Sequence, residues 1–161
     1  MINKYKLQIN ILLFASIFAL SLAYIGQYFF NLHPCILCLY QRIPYVVIII
    51  IVLISLFFGN KIIEYQKYII IVLLLLILFN IILAFYHVGV ENGFFVFTGC
   101  GDTLGNIDNI QDLREQILQI KSVKCDEVQF EFLSISIAGW NIIYSIFIII
   151  LVTSIKFLPS K

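Results

Sequence analysis

Four long apolar runs dominate the chain, and short polar segments separate them. An α-helix needs about 20 consecutive apolar residues to cross the hydrocarbon core of a bilayer. The runs reach or approach this length, so the pattern predicts an all-α integral membrane four-helix bundle. The predicted spans are residues 7–30, 43–58, 68–86 and 135–157, within a single domain of residues 1–161. A cleaved signal peptide is the alternative for the first run, but its length and the lack of a small-residue cleavage site disfavour it.

Two external loops are predicted, a short one over residues 31–42 and a long one over residues 88–134. Within the long loop, Ile110, Leu113 and Ile117 recur at helical spacing. They predict a short amphipathic helix over residues 108–120, which lies on the membrane surface or against a partner protein.

Composition and charge support a membrane location. Hydrophobic residues make up 62% of the chain and charged residues 12%, against about 45–50% and about 25% in soluble domains. The net charge of +1 gives no indication of a nucleic-acid partner. Lysines flank the runs on one side, at Lys4, Lys6, Lys61, Lys67, Lys156 and Lys161. The positive-inside rule then predicts cytoplasmic termini and all four cysteines on the opposite side, which in a bacterial inner-membrane protein is the periplasm.

The four cysteines form two pairs that differ in sequence context. Cys35 and Cys38 make a Cys-x-x-Cys pair at the edge of a span, which indicates redox chemistry or metal binding. Cys100 and Cys125 lie 25 positions apart, and glycines flank Cys100 on both sides. This spacing favours a loop-closing disulfide over a second zinc knuckle, so no metal is predicted. Leu39 stands where covalent haem attachment would need histidine.

Two redox pairs on one membrane face indicate a relay by thiol–disulfide exchange. The final acceptor must take two electrons and reside in the membrane, and a quinone meets both conditions. Arg42 stands four residues after Cys38, so in a helix its charge would favour the thiolate and a reduced quinone. Pro44 weakens this expectation, because its ring disfavours a regular helix before it and the helix would then begin only near Arg42. His87 is either a structural residue or a proton donor to the quinone.

Asn80 and Asn141 are polar residues inside apolar runs. We expect each of them to form an interhelical hydrogen bond, the usual role of amide side chains at lipid depth, and a contact with a cofactor is the alternative.

The chain resembles the disulfide bond formation protein B (DsbB) family over nearly its full length. The segments that carry the resemblance are Pro34-Cys35-x-x-Cys38 with Gln41-Arg42, Tyr86-His87-x-Gly89-x-Glu91, Cys100, Cys125, and Ala138-Gly139-Trp140-Asn141.

The resemblance implies a membrane oxidoreductase that reoxidises a periplasmic DsbA-like thiol oxidase and passes the electrons to ubiquinone or menaquinone. It implies that the reduced oxidase attacks Cys100, that Cys125 then attacks Cys35, and that Cys38 is left as the thiolate facing the quinone. Arg42 and His87 are the expected quinone-binding residues.

Two alternatives stay open. A vitamin K epoxide reductase-like protein also joins a helical bundle, a quinone and paired cysteines, but usually with the loop pair first in the chain. A non-catalytic four-span protein whose disulfides only brace its external loops is the alternative from a different class.

Overall fold

The computed structural model describes residues 2–58, 65–97, 125–126, 128 and 130–157. Over these residues the chain forms four long helices and one small hairpin. In chain order the elements are α1 (Ile2–Phe29), α2 (Ile36–Phe58), α3 (Gln66–Glu91), β1 (Glu131–Phe132), β2 (Ile135–Ser136) and α4 (Ile137–Phe157). Each of the four helices is long and apolar enough to cross a membrane. This confirms the predicted all-α membrane bundle, although the amphipathic helix predicted over residues 108–120 lies outside the described residues.

The helices bury a narrow apolar seam and turn most of their large apolar side chains outward. Phe14, Phe57 and Phe85 are 70%, 88% and 64% exposed, as is typical of surfaces that face lipid. The buried core takes residues from all four helices, namely Ile9, Leu12, Ile48, Val52, Ile70, Leu73, Ile77, Ile148 and Val152. Lipid is as apolar as these side chains, so the hydrophobic effect does not drive the helices together. Close packing and interhelical hydrogen bonds stabilise such a bundle instead.

Hydrogen bonds link α1 to α4 at two levels. Gln8 Nε2 donates to the carbonyl of Val152 at 2.8 Å, and the Tyr144 hydroxyl donates to the carbonyl of Ala15 at 2.8 Å. Gln8 is 5% exposed, so its amide would otherwise be a costly unpaired group.

The second helix begins well before the predicted span. It starts at Ile36 and carries Pro44 in its interior, so the expectation that the helix begins only near Arg42 was wrong. Proline is tolerated inside membrane helices because neighbouring groups satisfy the backbone that it frees. The Cys-x-x-Cys segment therefore lies at the first turn of α2, and the loop between α1 and α2 is confined to the residues before it.

A hairpin precedes α4 where the sequence pattern predicted only loop and helix. Strand β1 pairs antiparallel with β2, and the two turn residues, Leu133 and Ser134, have φ of 56° and 60°. Positive φ at both central residues is the geometry of a tight hairpin turn. The indole of Trp140 donates to the carbonyl of Phe132 at 3.0 Å and holds the hairpin against the start of α4.

Candidate active site

Cys35 is the residue that caps the N-terminus of α2. Its carbonyl accepts a bond from the Leu39 N–H at 3.2 Å, and its sulfur accepts one from the Cys38 N–H at 3.3 Å. These are the two hydrogen bonds that define a helix N-cap. The sulfur thus lies at the positive end of the helix dipole, where a thiolate is stabilised.

The two thiols of the Cys-x-x-Cys pair lie in contact in the reduced state. Cys35 Sγ and Cys38 Sγ lie within hydrogen-bond distance, at 3.1 Å, and both cysteines are free. Cys35 is buried and Cys38 is half-buried. The pair is therefore close enough to form a disulfide with a small movement of the sulfurs.

His87, on α3, reaches the same sulfur from the neighbouring helix. Its Nε2 lies 3.4 Å from Cys35 Sγ and 3.6 Å from Glu91 Oε1, one helical turn further along α3. Hydrogen bonds, chiefly from Cys38 and then from His87, lower the pKa of the Cys35 thiol to about 4 against the opposing effect of burial. Cys35, and not Cys38, is thus the thiolate that this geometry stabilises.

Arg42 lies on α2 and takes its partners from α1. Its Nη1 donates to Gln27 Oε1 at 2.7 Å, and its guanidinium carbon stands 5.2 Å from the centre of the Tyr24 ring. Arg42 and Cys38 line the same cavity, as the four-residue spacing predicted. The contacts with α1 fix the position of the guanidinium at that cavity.

The cavity beside the thiols has a volume of about 540 Å³. Most of its wall is apolar and comes from α1 and α4, including Leu20, Ala23 and Trp140. Its polar lining includes Cys35, Cys38, Gln41, Arg42, His87 and Asn141. An apolar cavity with a few convergent polar groups is the usual form of a small-molecule binding site.

Cys125 lies close to the Cys-x-x-Cys pair. It is 2% exposed and belongs to one buried cluster with Cys35, Leu37 and Val90. Cys125 is disulfide-bonded. Its predicted partner, Cys100, lies outside the described residues, so that pairing stays a prediction. A sulfur of the long loop is thereby placed beside the first cysteine of the membrane-edge pair.

Three of these side chains also meet the spacing of a metal site. The ligand atoms of Cys35, Cys38 and His87 all lie within 4.8 Å of one another. Two thiolates and an imidazole are zinc ligands, but a reduced redox pair beside a histidine has the same geometry. The expectation that no metal binds stays a prediction.

Comparison with known proteins agrees with this geometry. Residues 6–155 match the family described as "Disulfide bond formation protein DsbB". The chain belongs to the DsbB family. It is also 32% identical over 162 residues to "Uncharacterized protein RP370" of Rickettsia prowazekii (strain Madrid E), covering 99% of this chain and 92% of that relative. No solved structure matches the chain significantly.

Membership in the DsbB family identifies the chain as a multi-pass membrane protein and a thiol–disulfide oxidoreductase. The resemblance stated from the Cys-x-x-Cys segment is thereby confirmed at the level of the family.

Sequence reasoning missed which histidine meets the thiols in this DsbB-family chain. His33 stands two residues before Cys35, but it is exposed and its Nδ1 lies 3.0 Å from the carbonyl of Asn31. His87 occupies the site instead, and Gln41 contacts its ring. The signal available in the sequence was that Gln41 and His87 are polar residues at the edges of apolar runs.

Proposed function

We propose that this chain reoxidises a periplasmic DsbA-like thiol oxidase and transfers the electrons to a membrane quinone, ubiquinone or menaquinone. The observation that carries the proposal is the Cys35–Cys38 pair, which lies beside His87 at the polar end of an apolar cavity. The lysine distribution supports the proposed orientation, with both termini cytoplasmic and the cysteines on the periplasmic side.

The residues of the cavity fit a quinone. Its apolar wall suits the ring and the isoprenoid tail, and Arg42 would hold a polar oxygen at the end of the cavity that His87 also lines. When bound, the quinone supplies the acceptor for two electrons and two protons. The dithiol of the partner loses these electrons and protons as it becomes a disulfide, so the overall exchange is balanced.

The four cysteines divide the work in this proposal. Cys100 and Cys125 form the disulfide that the reduced partner attacks, and Cys125 is then released as a thiolate. Support for the next step comes from the burial of Cys125 in one cluster with Cys35. Attack on the Cys35–Cys38 disulfide at Cys35 would free Cys38 at the cavity, because thiol–disulfide exchange releases the sulfur that is not attacked.

The Cys35 thiolate has a distinct role in the second half of the cycle. With its pKa lowered to about 4, Cys35 would be a good leaving group when the Cys100 thiolate attacks Cys125 in the Cys35–Cys125 mixed disulfide. This attack would restore the Cys100–Cys125 disulfide and leave Cys35 and Cys38 as the dithiol whose two electrons would pass to the quinone.

The test compares two electron donors for quinone reduction. Wild type and Cys100→Ser receive either dithiothreitol or a reduced DsbA-like oxidase, and quinone loss is followed by absorbance. We expect Cys100→Ser to retain activity with dithiothreitol, which reaches the membrane-edge pair directly, and to lose it with the protein donor. Equal activity of the variant with both donors would contradict the proposed division, and no activity of the wild type with either would refute the function.

A further inference from the structure

A continuous chain of hydrogen bonds extends from His87 into the membrane interior. It joins α2, α3 and α4 below the thiol pair, and its members are His87, Gln41, Asn141, Tyr45, Asn80 and Ser145. Gln41 and His87 are 7% and 3% exposed, and Asn80 and Ser145 are fully buried. A hydrogen bond that is left unmade between buried polar groups is costly, because the dielectric constant around them is low. The donor and the acceptor of each hydrogen bond in the chain are therefore strongly constrained.

The orientation of the Asn141 amide determines which groups donate and which accept along this chain of hydrogen bonds. Its Oδ1 accepts the Tyr45 hydroxyl at 2.6 Å and the Asn80 amide at 3.3 Å. Both lone pairs of this oxygen are then used. The amide nitrogen of Asn141 faces the other way and donates to Gln41 Oε1 at 2.7 Å.

The orientation of the Gln41 amide then determines which ring nitrogen of His87 accepts a hydrogen bond. Because its Oε1 accepts from Asn141, its Nε2 is the atom that lies 2.9 Å from His87 Nδ1. An amide nitrogen can only donate, so His87 Nδ1 must accept. The proton of the neutral imidazole is then on Nε2, the nitrogen that lies 3.4 Å from Cys35 Sγ.

We infer that Gln41 and Asn141 are positioning residues that hold His87 in its Nε2–H tautomer, with that N–H directed at the Cys35 sulfur. In this arrangement His87 donates a hydrogen bond to the Cys35 thiolate and does not accept the thiol proton. A proton added at Nδ1 would face the amide nitrogen of Gln41, which cannot accept a hydrogen bond.

The charged and titratable groups around His87 are consistent with this assignment. Cys35 and Cys38 face it from the start of α2, and Glu91 lies on its own helix. Arg42 lines the same cavity but is bonded to Gln27 of α1. Helix α4 presents the uncharged Asn141 at this level. Of these groups, the Cys35 sulfur and the Glu91 carboxylate are the acceptors available to the Nε2–H.

Nitrogen-15 NMR of histidine tests the inference, because the ring nitrogens of the two neutral tautomers and of the imidazolium differ in chemical shift. The chain has two histidines, so His33→Gln leaves a single ring to assign. The reduced protein in detergent micelles at neutral pH is measured without quinone or partner. We expect an unprotonated Nδ1 and a protonated Nε2 for His87. The opposite tautomer, or a doubly protonated ring, would overturn the inference.

Two glutamine variants separate positioning from general loss of packing. Gln41→Leu removes the donor to Nδ1, and Gln8→Leu removes an equally buried amide that bonds to Val152 at another level of the bundle. We expect a mixture of tautomers in Gln41→Leu and the wild-type spectrum in Gln8→Leu. An unchanged His87 spectrum in Gln41→Leu would refute the role of the chain.

A reactivity measurement adds a second readout, and a milder variant guards against misfolding. The pH of half-maximal Cys35 alkylation should rise in Gln41→Leu and stay unchanged in Gln8→Leu. Tyr45→Phe removes a single oxygen, and it should also broaden the His87 tautomer distribution because Asn141 loses its shortest donor. Any effect of the His87 tautomer on quinone reduction rests on the proposed function, whereas the NMR result does not. A wild type with the inferred tautomer and no quinone reduction would therefore refute the proposed function alone.

Discussion

Alkylation of Cys35 across the pH range tests the hydrogen bonds that its sulfur accepts. The geometry lowers the pKa of this thiol from 9.0 to about 4. A group whose pKa is lowered stays charged above the new value, so the thiolate is lost only as the pH falls through about 4. Between pH 6 and pH 8, the thiolate fraction of an ordinary cysteine with pKa near 9 would rise roughly 90-fold. That of Cys35 should be nearly constant over the same interval.

The assay is the rate of iodoacetamide labelling of the reduced protein, with the Cys35 peptide quantified by mass spectrometry. Burial slows the reaction at every pH, so the slope of the rate against pH is the informative quantity. We expect a flat profile from pH 6 to pH 8. A rise of about tenfold per pH unit, as for an unperturbed thiol, would refute the account of the site.

A pair of variants identifies the largest cause of the shift. The hydrogen bond from Cys38 contributes most to the lowered pKa of Cys35. Cys38→Ala removes this donor, and Cys38→Ser replaces the thiol with a hydroxyl that can still donate. We therefore expect the profile of Cys38→Ala to become pH-dependent in this interval and that of Cys38→Ser to change less. Identical profiles in the two variants would show that the Cys38 donor does not stabilise the Cys35 thiolate.

Three further predictions concern the cavity, the packing and the topology. Arg42→Met should raise the apparent KM for quinone about 10- to 100-fold, since a hydrogen bond to a charged group is worth about 1.5–3 kcal/mol; an unchanged KM would limit Arg42 to its contacts with α1. Gly89→Ala should lower stability by about 1–3 kcal/mol in thermal unfolding, because the new Cβ overlaps the ring of Phe95, and an unchanged Tm would contradict that packing. A reporter active only in the periplasm should work when fused after Asp108 and be silent after Lys161, and the reverse would overturn the proposed orientation.

The helices were predictable from the sequence because each apolar run is longer than a soluble domain would leave exposed to water. Their ends were less so. The start of α2 depends on the capping bonds of Cys35 and on tolerance of Pro44, and neither follows from the apolar pattern. The hairpin before α4 was not foreseen either, because its turn residues, Leu133 and Ser134, are not the usual ones for positive φ.

The candidate site was predictable in its chemistry but not in its contacts. The Cys-x-x-Cys pair and Arg42 could be selected by residue type and spacing, and Asn80 does form an interhelical hydrogen bond, with Asn141 as its partner. The meeting of His87 with Cys35 depends on how α3 packs against α2, across 52 positions of sequence. The role of Gln41 likewise appears only when three helices are packed together.

The stoichiometry of a single turnover without a partner protein tests whether the Cys35–Cys38 pair transfers its electrons to a quinone. The Cys100→Ser, Cys125→Ser double variant leaves Cys35 and Cys38 as the only thiols of the chain. This variant is fully reduced and mixed anaerobically with a soluble ubiquinone analogue. Quinol is measured by absorbance, and the remaining thiols are counted by alkylation and mass spectrometry.

We expect one quinol to form for each Cys35–Cys38 disulfide, because the pair gives up two electrons. The same protein with Cys38→Ser added should form none. Loss of thiols without quinol, or quinol formed equally well without Cys38, would contradict the claim that this pair transfers its electrons to a membrane quinone.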